Sequence, residues 1–312
     1  MLDTLYKIYF SIPSFEILGK AGKAINRVQD IYILKPLLEK YASNKILTTS
    51  DFHGLNEGDR QKEIVFSLTS FPARIKESWI SIECLMRQKV KADKIVLWLA
   101  HSQFKNETLP YQLLELQERG LEIRYVDDLR SHKKYFYAFQ EFPEALIITF
   151  DDDLYYDSNV VSNLLSIHKK FPNTIAASRA HQITFEKTSV KPYSSWRHNS
   201  ISNKPSFNLF HTSGAGTLFQ PKVFPVETFD QKLILKLSPN SDDVWLKVMS
   251  FISDVKVATN SRYNKDWVTV GKTQSQSLVS INTKKGAKDQ QLKKVMDYFG
   301  VHVKNSMLTK RN

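Results

Sequence analysis

The feature that most constrains this chain is a six-residue apolar run, Ala145-Leu-Ile-Ile-Thr-Phe150, followed at once by Asp151, Asp152 and Asp153. A short run of this kind, rich in β-branched and aromatic side chains, fits a strand buried on both faces of a sheet. Such strands belong to α/β proteins, whose ligands bind beyond the carboxyl ends of the strands. The run therefore carries a block of negative charge to the edge where chemistry is done. Carboxylates packed this closely repel one another unless a cation joins them. Hard oxygen donors select Mg²⁺ or Mn²⁺, and both ions bridge readily to phosphates. The block thus points to a metal site that holds a phosphorylated substrate.

The flanking sequence repeats the pattern. Apolar runs at 63–68, 94–99, 121–126 and 145–150 alternate with helical periodicity at 79–88, 110–119 and 133–142. Gly120 falls where a helix C-cap is expected. Alternation of this sort predicts βαβ units and a mixed, mostly parallel sheet flanked by helices. Past Asp153 the spacing predicts helices at 159–171, 242–253 and 289–298, and strands at 174–178 and 216–219. Residues 186–210 show no period and read as a long loop. Residues 1–50 form a helical extension, with Leu2, Leu5, Tyr6, Tyr9 and Phe10 at helical spacing and a second amphipathic stretch over 25–41. That first stripe suits either packing on the main domain or an interfacial membrane helix. Three regions follow: an extension and linker over 1–60, a catalytic domain over 61–260 and a basic segment over 261–312.

Composition narrows the partners. The net charge of +12 is concentrated late in the chain, where twelve Lys and Arg but only three Asp follow from Lys256 onward. A basic surface suits a polyanion: a phosphorylated substrate or an anionic membrane surface. The tail lacks the aromatic interleaving of single-strand binders, so no nucleic acid is expected. One cysteine, Cys84, excludes an internal disulfide and a cysteine zinc cage, and suits a core position on a helix. No run approaches the roughly 20 apolar residues of a membrane span, and no signal-peptide core is evident. The expected location is the cytoplasm, with the inner face of the membrane as a peripheral site.

Other clusters fall at strand ends. Thr69, Ser70 and Arg74 follow the first strand, where hydroxyls and a guanidinium suit a nucleotide or its phosphate, or simply cap a helix. Asp127 and Asp128 follow the third strand and could accept from a base or ribose, and Lys133 and Lys134 could reach phosphate. His211-Thr-Ser-Gly-Ala-Gly-Thr217 is a small-residue turn in which Gly214, Ala215 and Gly216 permit close approach of a sugar or an acceptor. Asp242 and Asp243 open a helix that also carries Trp245, as a helix cap or as a general base. No phosphate-cradling or dinucleotide Gly-rich loop is present, nor a paired-histidine metal motif.

In order and chemistry these segments resemble the bacterial family-2-like nucleotide-sugar glycosyltransferases of capsule, lipopolysaccharide and exopolysaccharide synthesis. The resemblance rests on SLTSFPARI, LIITFDDDLYY, HTSGAGTLF and SDDVWL, over about residues 63–255. It implies a Rossmann-like GT-A fold and a UDP-sugar or similar donor with Mn²⁺ or Mg²⁺. It further implies that Asp153, assisted by Asp151, meets the metal and that Asp151 and Asp152 meet the donor. Asp243 or Asp242 would be the base, and Trp245 and the glycine turn would lie on the acceptor side. The acceptor would be a hydroxyl of a glycan or lipid-linked glycan, with inversion at the sugar. The first strand lacks the family's Pro-x-Tyr-Asn ending, and no histidine follows Asp243 until His302. A sugar-phosphate nucleotidyltransferase and a basic-tail binding module are the competing readings.

Overall fold

The computed structural model describes residues 2–11, 36–37, 40, 54–105, 107–260, 262–263, 265–270, 286–304 and 307–310. The helices are α1 (Leu2–Ser11), α2 (Ile75–Met86), α3 (His101–Phe104), α4 (Tyr111–Glu118), α5 (Lys133–Glu141), α6 (Val160–Lys170), α7 (Gln231–Leu237), α8 (Asp242–Ile252) and α9 (Ala287–Tyr298). The strands are β1 (Ile64–Thr69), β2 (Lys94–Ala100), β3 (Leu121–Val126), β4 (Leu146–Phe150), β5 (Thr174–Ala177), β6 (Ala180–Gln182), β7 (Phe185–Glu186), β8 (Ser189–Val190), β9 (Leu209–His211), β10 (Ala215–Phe219), β11 (Lys256–Ala258), β12 (Val301–Lys304) and β13 (Met307–Lys310). The expected second amphipathic stretch over 25–41 lies outside the described residues apart from 36–37 and 40.

Seven strands form one sheet in the order β11-β5-β10-β4-β1-β2-β3. All neighbours are parallel except β10, which runs antiparallel to both β4 and β5. This is a mixed, mostly parallel α/β sheet covered on both faces, as the alternation predicts. The two-residue period of a strand sends alternate side chains to opposite faces. Ile64, Phe66 and Leu68 join the core under α2, α4 and α6, while Val65 joins the core under α5, α8 and α9. β4 is buried at all five positions, which is why its sequence reads as an unbroken apolar run. Cys84 lies in the first core, its thiol pushed up to about 12 by burial.

One open sequence reading is decided here and one expectation changes. The aromatic stripe of α1 turns inward: Tyr6 and Tyr9 are buried, and the Tyr6 ring meets Trp267 edge-on at 5.6 Å. Tyr9 Oη donates to the Asp266 carbonyl at 2.9 Å. Tyr6, Tyr9 and Phe10 thereby close the first core. Among the described residues no helix is long and apolar enough to cross one. The expected loop over 186–210 is partly ordered into the β7–β8 hairpin and a short turn at Tyr193–Ser195, pinned by buried Trp196, whose indole N–H donates to the Lys191 carbonyl at 2.8 Å. Its aromatics pack inward, which a search for a single period misses.

Lys247 on α8 is 1% exposed, lies among apolar side chains including Val248 and Leu292, and its amine has no hydrogen-bond partner among the described residues. Burial lowers it from 10.5 to about 7. The unfolded chain therefore binds this proton more tightly than the folded one. Stability is expected to rise with pH between about 7 and 10.5, with the full penalty in force below that window. Lys247→Met is expected to stabilise the fold by about 1–3 kcal/mol at neutral pH and to flatten that dependence. Denaturant melts across the window check both effects.

Candidate active site

Three segments meet at one edge of the sheet. β1 ends at Thr69 and passes into Ser70, β4 ends at Phe150 and passes into the aspartates, and β10, running the other way, begins just after Gly214. The Asp151 amide donates to the Gly214 carbonyl at 2.9 Å, and the Tyr156 hydroxyl bonds the same carbonyl. The two chains lie so close that a Cβ on Gly214 would fall 1.7 Å from Asp151 Oδ2. The glycine is there because the carboxylate needs its space.

The aspartates have different partners. Asp152 accepts from Ser70 Oγ at 2.5 Å and from Arg74 Nη1 at 3.0 Å. The same Arg74 nitrogen lies 3.1 Å from Asp153 Oδ2. Asp151 accepts from Lys134 Nζ at 2.9 Å. Burial pushes the Asp152 carboxyl upward against the pull of Arg74 and Ser70. Burial, then the charge of Asp152, pushes Asp153 up to about 7.

Asp242 and Asp243 lie across from this block, in the first turn of α8. Neither caps the helix as Asp230 caps α7, where the side chain accepts from the Leu233 amide. Asp243 Oδ1 accepts instead from the Ser213 amide at 2.8 Å, and its Oδ2 accepts from Lys288 Nζ at 3.3 Å. Lys134 Nζ lies 3.1 Å from Asp242 Oδ2, outside hydrogen-bonding geometry, so this is a charge contact. Burial drives Asp242 up, with Lys134 opposing it. Burial pushes Asp243 the same way, but Lys288, Lys134 and the Ser213 amide outweigh it and hold the carboxyl below the usual range. The two neighbours are thus driven apart.

Both acidic groups line one cleft of about 420 Å³, together with Arg74, Lys134 and Gly214. Six carboxylates (151–153, 242, 243 and 266) meet four cations here: Arg74, Lys134, Arg179 and Lys288. With every carboxylate ionised the formal deficit is two charges, the charge of one divalent ion. Among the described residues no group of three or more His, Cys, Asp or Glu side chains is placed to hold a metal ion. Two carboxylates on an open cleft nonetheless fit an ion that takes its remaining ligands from a diphosphate and water. The donors are carboxylate oxygens throughout, the hard type that suits Mg²⁺ or Mn²⁺.

Several sequence candidates fall elsewhere. Thr69 Oγ1 donates to the Trp98 carbonyl at 2.7 Å, towards the neighbouring strand. Ser70 and Arg74 are spent on the aspartates. Asp128 accepts from Lys133 Nζ at 2.9 Å, which makes Lys133 a buried structural partner and not a free phosphate ligand. Asp127 is exposed, and its carbonyl accepts from Tyr137. None of Thr69, Asp127, Asp128 and Lys133 lines the cleft. Ala215 and Gly216 are buried within β10, with Gly216 at φ +92 beside Val160 and Phe150. Trp245 is a correction: it is fully buried, and its indole N–H donates to the Thr228 carbonyl at 3.1 Å, so it serves the core and not an acceptor.

Other residues of the cleft were not singled out by sequence. Lys288 comes from α9, which packs on α8, and its amine lies 4.5 Å from the centre of the Tyr193 ring. Arg179 donates to Thr212 Oγ1 at 3.0 Å and to Asp266 at 2.8 Å. His181 and His198 both line the cleft. Arg179 was findable: it follows β5, whose carboxyl end lies at the same edge as that of β4. Lys288 carries no local signal.

No protein-family model matches the chain, and no curated protein matches it. Among solved structures it is similar to a mannosyltransferase from Pyrobaculum calidifontis in complex with GDP-Man and Mn²⁺, at 10% identity over 95% of this chain and 76% of that one, TM-score 0.48. It is similar to a CMP:2-keto-3-deoxy-manno-octonic acid synthetase complexed with CTP, at 9% identity over 64% and 89%, TM-score 0.39. It is also similar to the inositol-1-phosphate CTP transferase of T. maritima, at 10% identity over 77% and 98%, TM-score 0.40. Identities of 10% or less with TM-scores of 0.48 or less leave the chemistry to be argued from the cleft itself.

Gly214→Ala tests the packing that builds this cleft. It is expected to push Asp151 from its place and to cost about 1–3 kcal/mol of stability. Thermal melting checks it, and a variant as stable as the parent would mean that Asp151 can swing aside freely.

Proposed function

We propose that this chain is a metal-dependent glycosyltransferase that moves a sugar from a nucleotide-diphosphate sugar, with UDP-sugars favoured, to a hydroxyl of a glycan or lipid-linked glycan. The observation that carries this reading is the confrontation, across one cleft, of the Asp151–Asp153 block with the Asp242–Asp243 pair. The first cluster suits a leaving diphosphate, and the second suits the hydroxyl that replaces it. Phosphate-cradling glycines are missing after β1, which favours glycosyl over nucleotidyl transfer.

In this reading Asp153 and Asp151 hold Mn²⁺ or Mg²⁺. The ion, when bound, offsets the charge of the departing diphosphate. Arg74 keeps Asp152 and Asp153 in place from the β1 side. Asp243 takes the proton of the acceptor hydroxyl. The Ser213 amide and Lys288 keep it ionised at neutral pH, and its side chain is 19% exposed against 8% for Asp242. The acceptor oxygen then attacks the anomeric carbon from the side opposite the diphosphate, and configuration inverts.

Incubation with a panel of nucleotide sugars and Mn²⁺ is expected to release nucleoside diphosphate with one or a few donors. Asp153→Ala is expected to abolish both turnover and its dependence on the ion. Asp243→Asn is expected to keep donor affinity while turnover drops about 10²–10⁴-fold. If Asp242→Asn does this instead, the base is Asp242. Pyrophosphate release from a nucleoside triphosphate and a sugar phosphate would replace glycosyl transfer with nucleotidyl transfer.

A further inference from the structure

Two adjacent lysines open α5 and go to opposite places. Successive helical side chains point about 100° apart. Lys133 therefore turns to Asp128, outside the cleft, while Lys134 turns inward to Asp151 and Asp242. The backbone of Lys134 is tied to the sheet, since its carbonyl accepts from the Ser67 hydroxyl, which in turn accepts from the Trp98 indole at 2.8 Å. Its side chain is only 5% exposed. A solvated lysine is excluded by that burial. The ammonium lies 2.9 Å from one acidic cluster and 3.1 Å from the other, at the point where the two halves of the site meet.

We propose that Lys134 is a positioning residue that couples the two halves: it shares Asp151 with the divalent ion and holds Asp242, and with it the first turn of α8, against the metal-binding block. This inference rests on the metal reading given above. An ammonium beside a metal-ligating carboxylate opposes the ion by like charge. It also supplies the positive charge that lets two acidic clusters approach before any ion arrives. Lys134 thus weakens metal binding and strengthens catalysis. A side chain with a merely structural role would move both in the same direction.

The test uses the full chain, without donor for metal binding and with donor for turnover. Mn²⁺ affinity is read from the electron paramagnetic resonance signal of unbound Mn²⁺, with turnover and melting temperature measured alongside. Lys134→Met is expected to bind Mn²⁺ about tenfold tighter or more, since a repelling charge has gone. Its kcat is expected to fall about 100-fold, because Asp242 and the neighbouring base lose their anchor. Lys134→Arg, which keeps the charge, is expected to keep the parental Mn²⁺ affinity. Lys134→Gln is neutral but can still hydrogen-bond, and it takes the place of the Met variant if that does not fold. Parental Mn²⁺ binding with equal or weaker binding by the neutral variants would overturn the role of Lys134 while leaving the metal site intact. Failure of both the parent and the neutral variants to bind Mn²⁺ would overturn the metal reading and this inference with it.

Discussion

The structure depends on keeping five carboxylates close together at one cleft, three of them buried. Like charges at this spacing do not share a buried site unless cations are placed among them, and breaking one such pair typically costs about 3–5 kcal/mol. Arg74 follows β1, Lys134 opens α5 and Lys288 opens α9, and each ends within 3.3 Å of an aspartate. Three distant segments are thereby fixed to one edge of the sheet. In the proposed reading, the charge that remains unbalanced is where a divalent ion and a diphosphate would fit. Compensation is nearly complete in the protein alone, and it is left incomplete on the open side.

The sheet makes this arrangement available. Parallel β1 and β4 send their carboxyl ends the same way, and antiparallel β10 brings the start of its strand back to that edge. The Gly214 turn and the Asp151 block therefore touch, although 63 positions separate them in the chain. α8 then presents its first turn to the same point. Asp242 and Asp243 differ in burial and in partners, and their acidities diverge. Divergence of neighbouring acids is a common device for dividing roles within a site. Here it separates an anchor held by Lys134 from a carboxylate kept ionised towards the cleft.

Much of the fold was legible in the sequence because strands buried on both faces leave a continuous apolar signal. β1 to β4 and helices α4, α5, α6 and α8 fall within a few residues of the expected positions. The short strands β6 to β9, β11, β12 and β13 and the four-residue α3 were missed, since two to four residues give no measurable period, and the seven-residue α7 was missed as well. The candidate site was read in part. The Asp151 block, Asp242, Asp243, Lys134, Arg74 and Gly214 come together in the cleft. Trp245 was misread because an indole one turn into a helix looks the same in sequence whether it faces a ligand or the core. Lys133 and Lys134 were read alike because sequence does not show which side of a helix meets which wall.

What the sequence determined by itself is the ordering of strands and helices and the delivery of acidic clusters to strand and helix ends. Both follow from local patterns of burial and charge. Which carboxylate meets which cation was decided by tertiary structure alone. Lys288 lies 45 residues beyond Asp243, and Arg74 lies 78 before Asp152, so no local rule links them. Coulomb interactions depend on distance in space and on the local dielectric, not on separation along the chain. The site was therefore visible in the sequence as a set of charges, and only folding turned those charges into pairs.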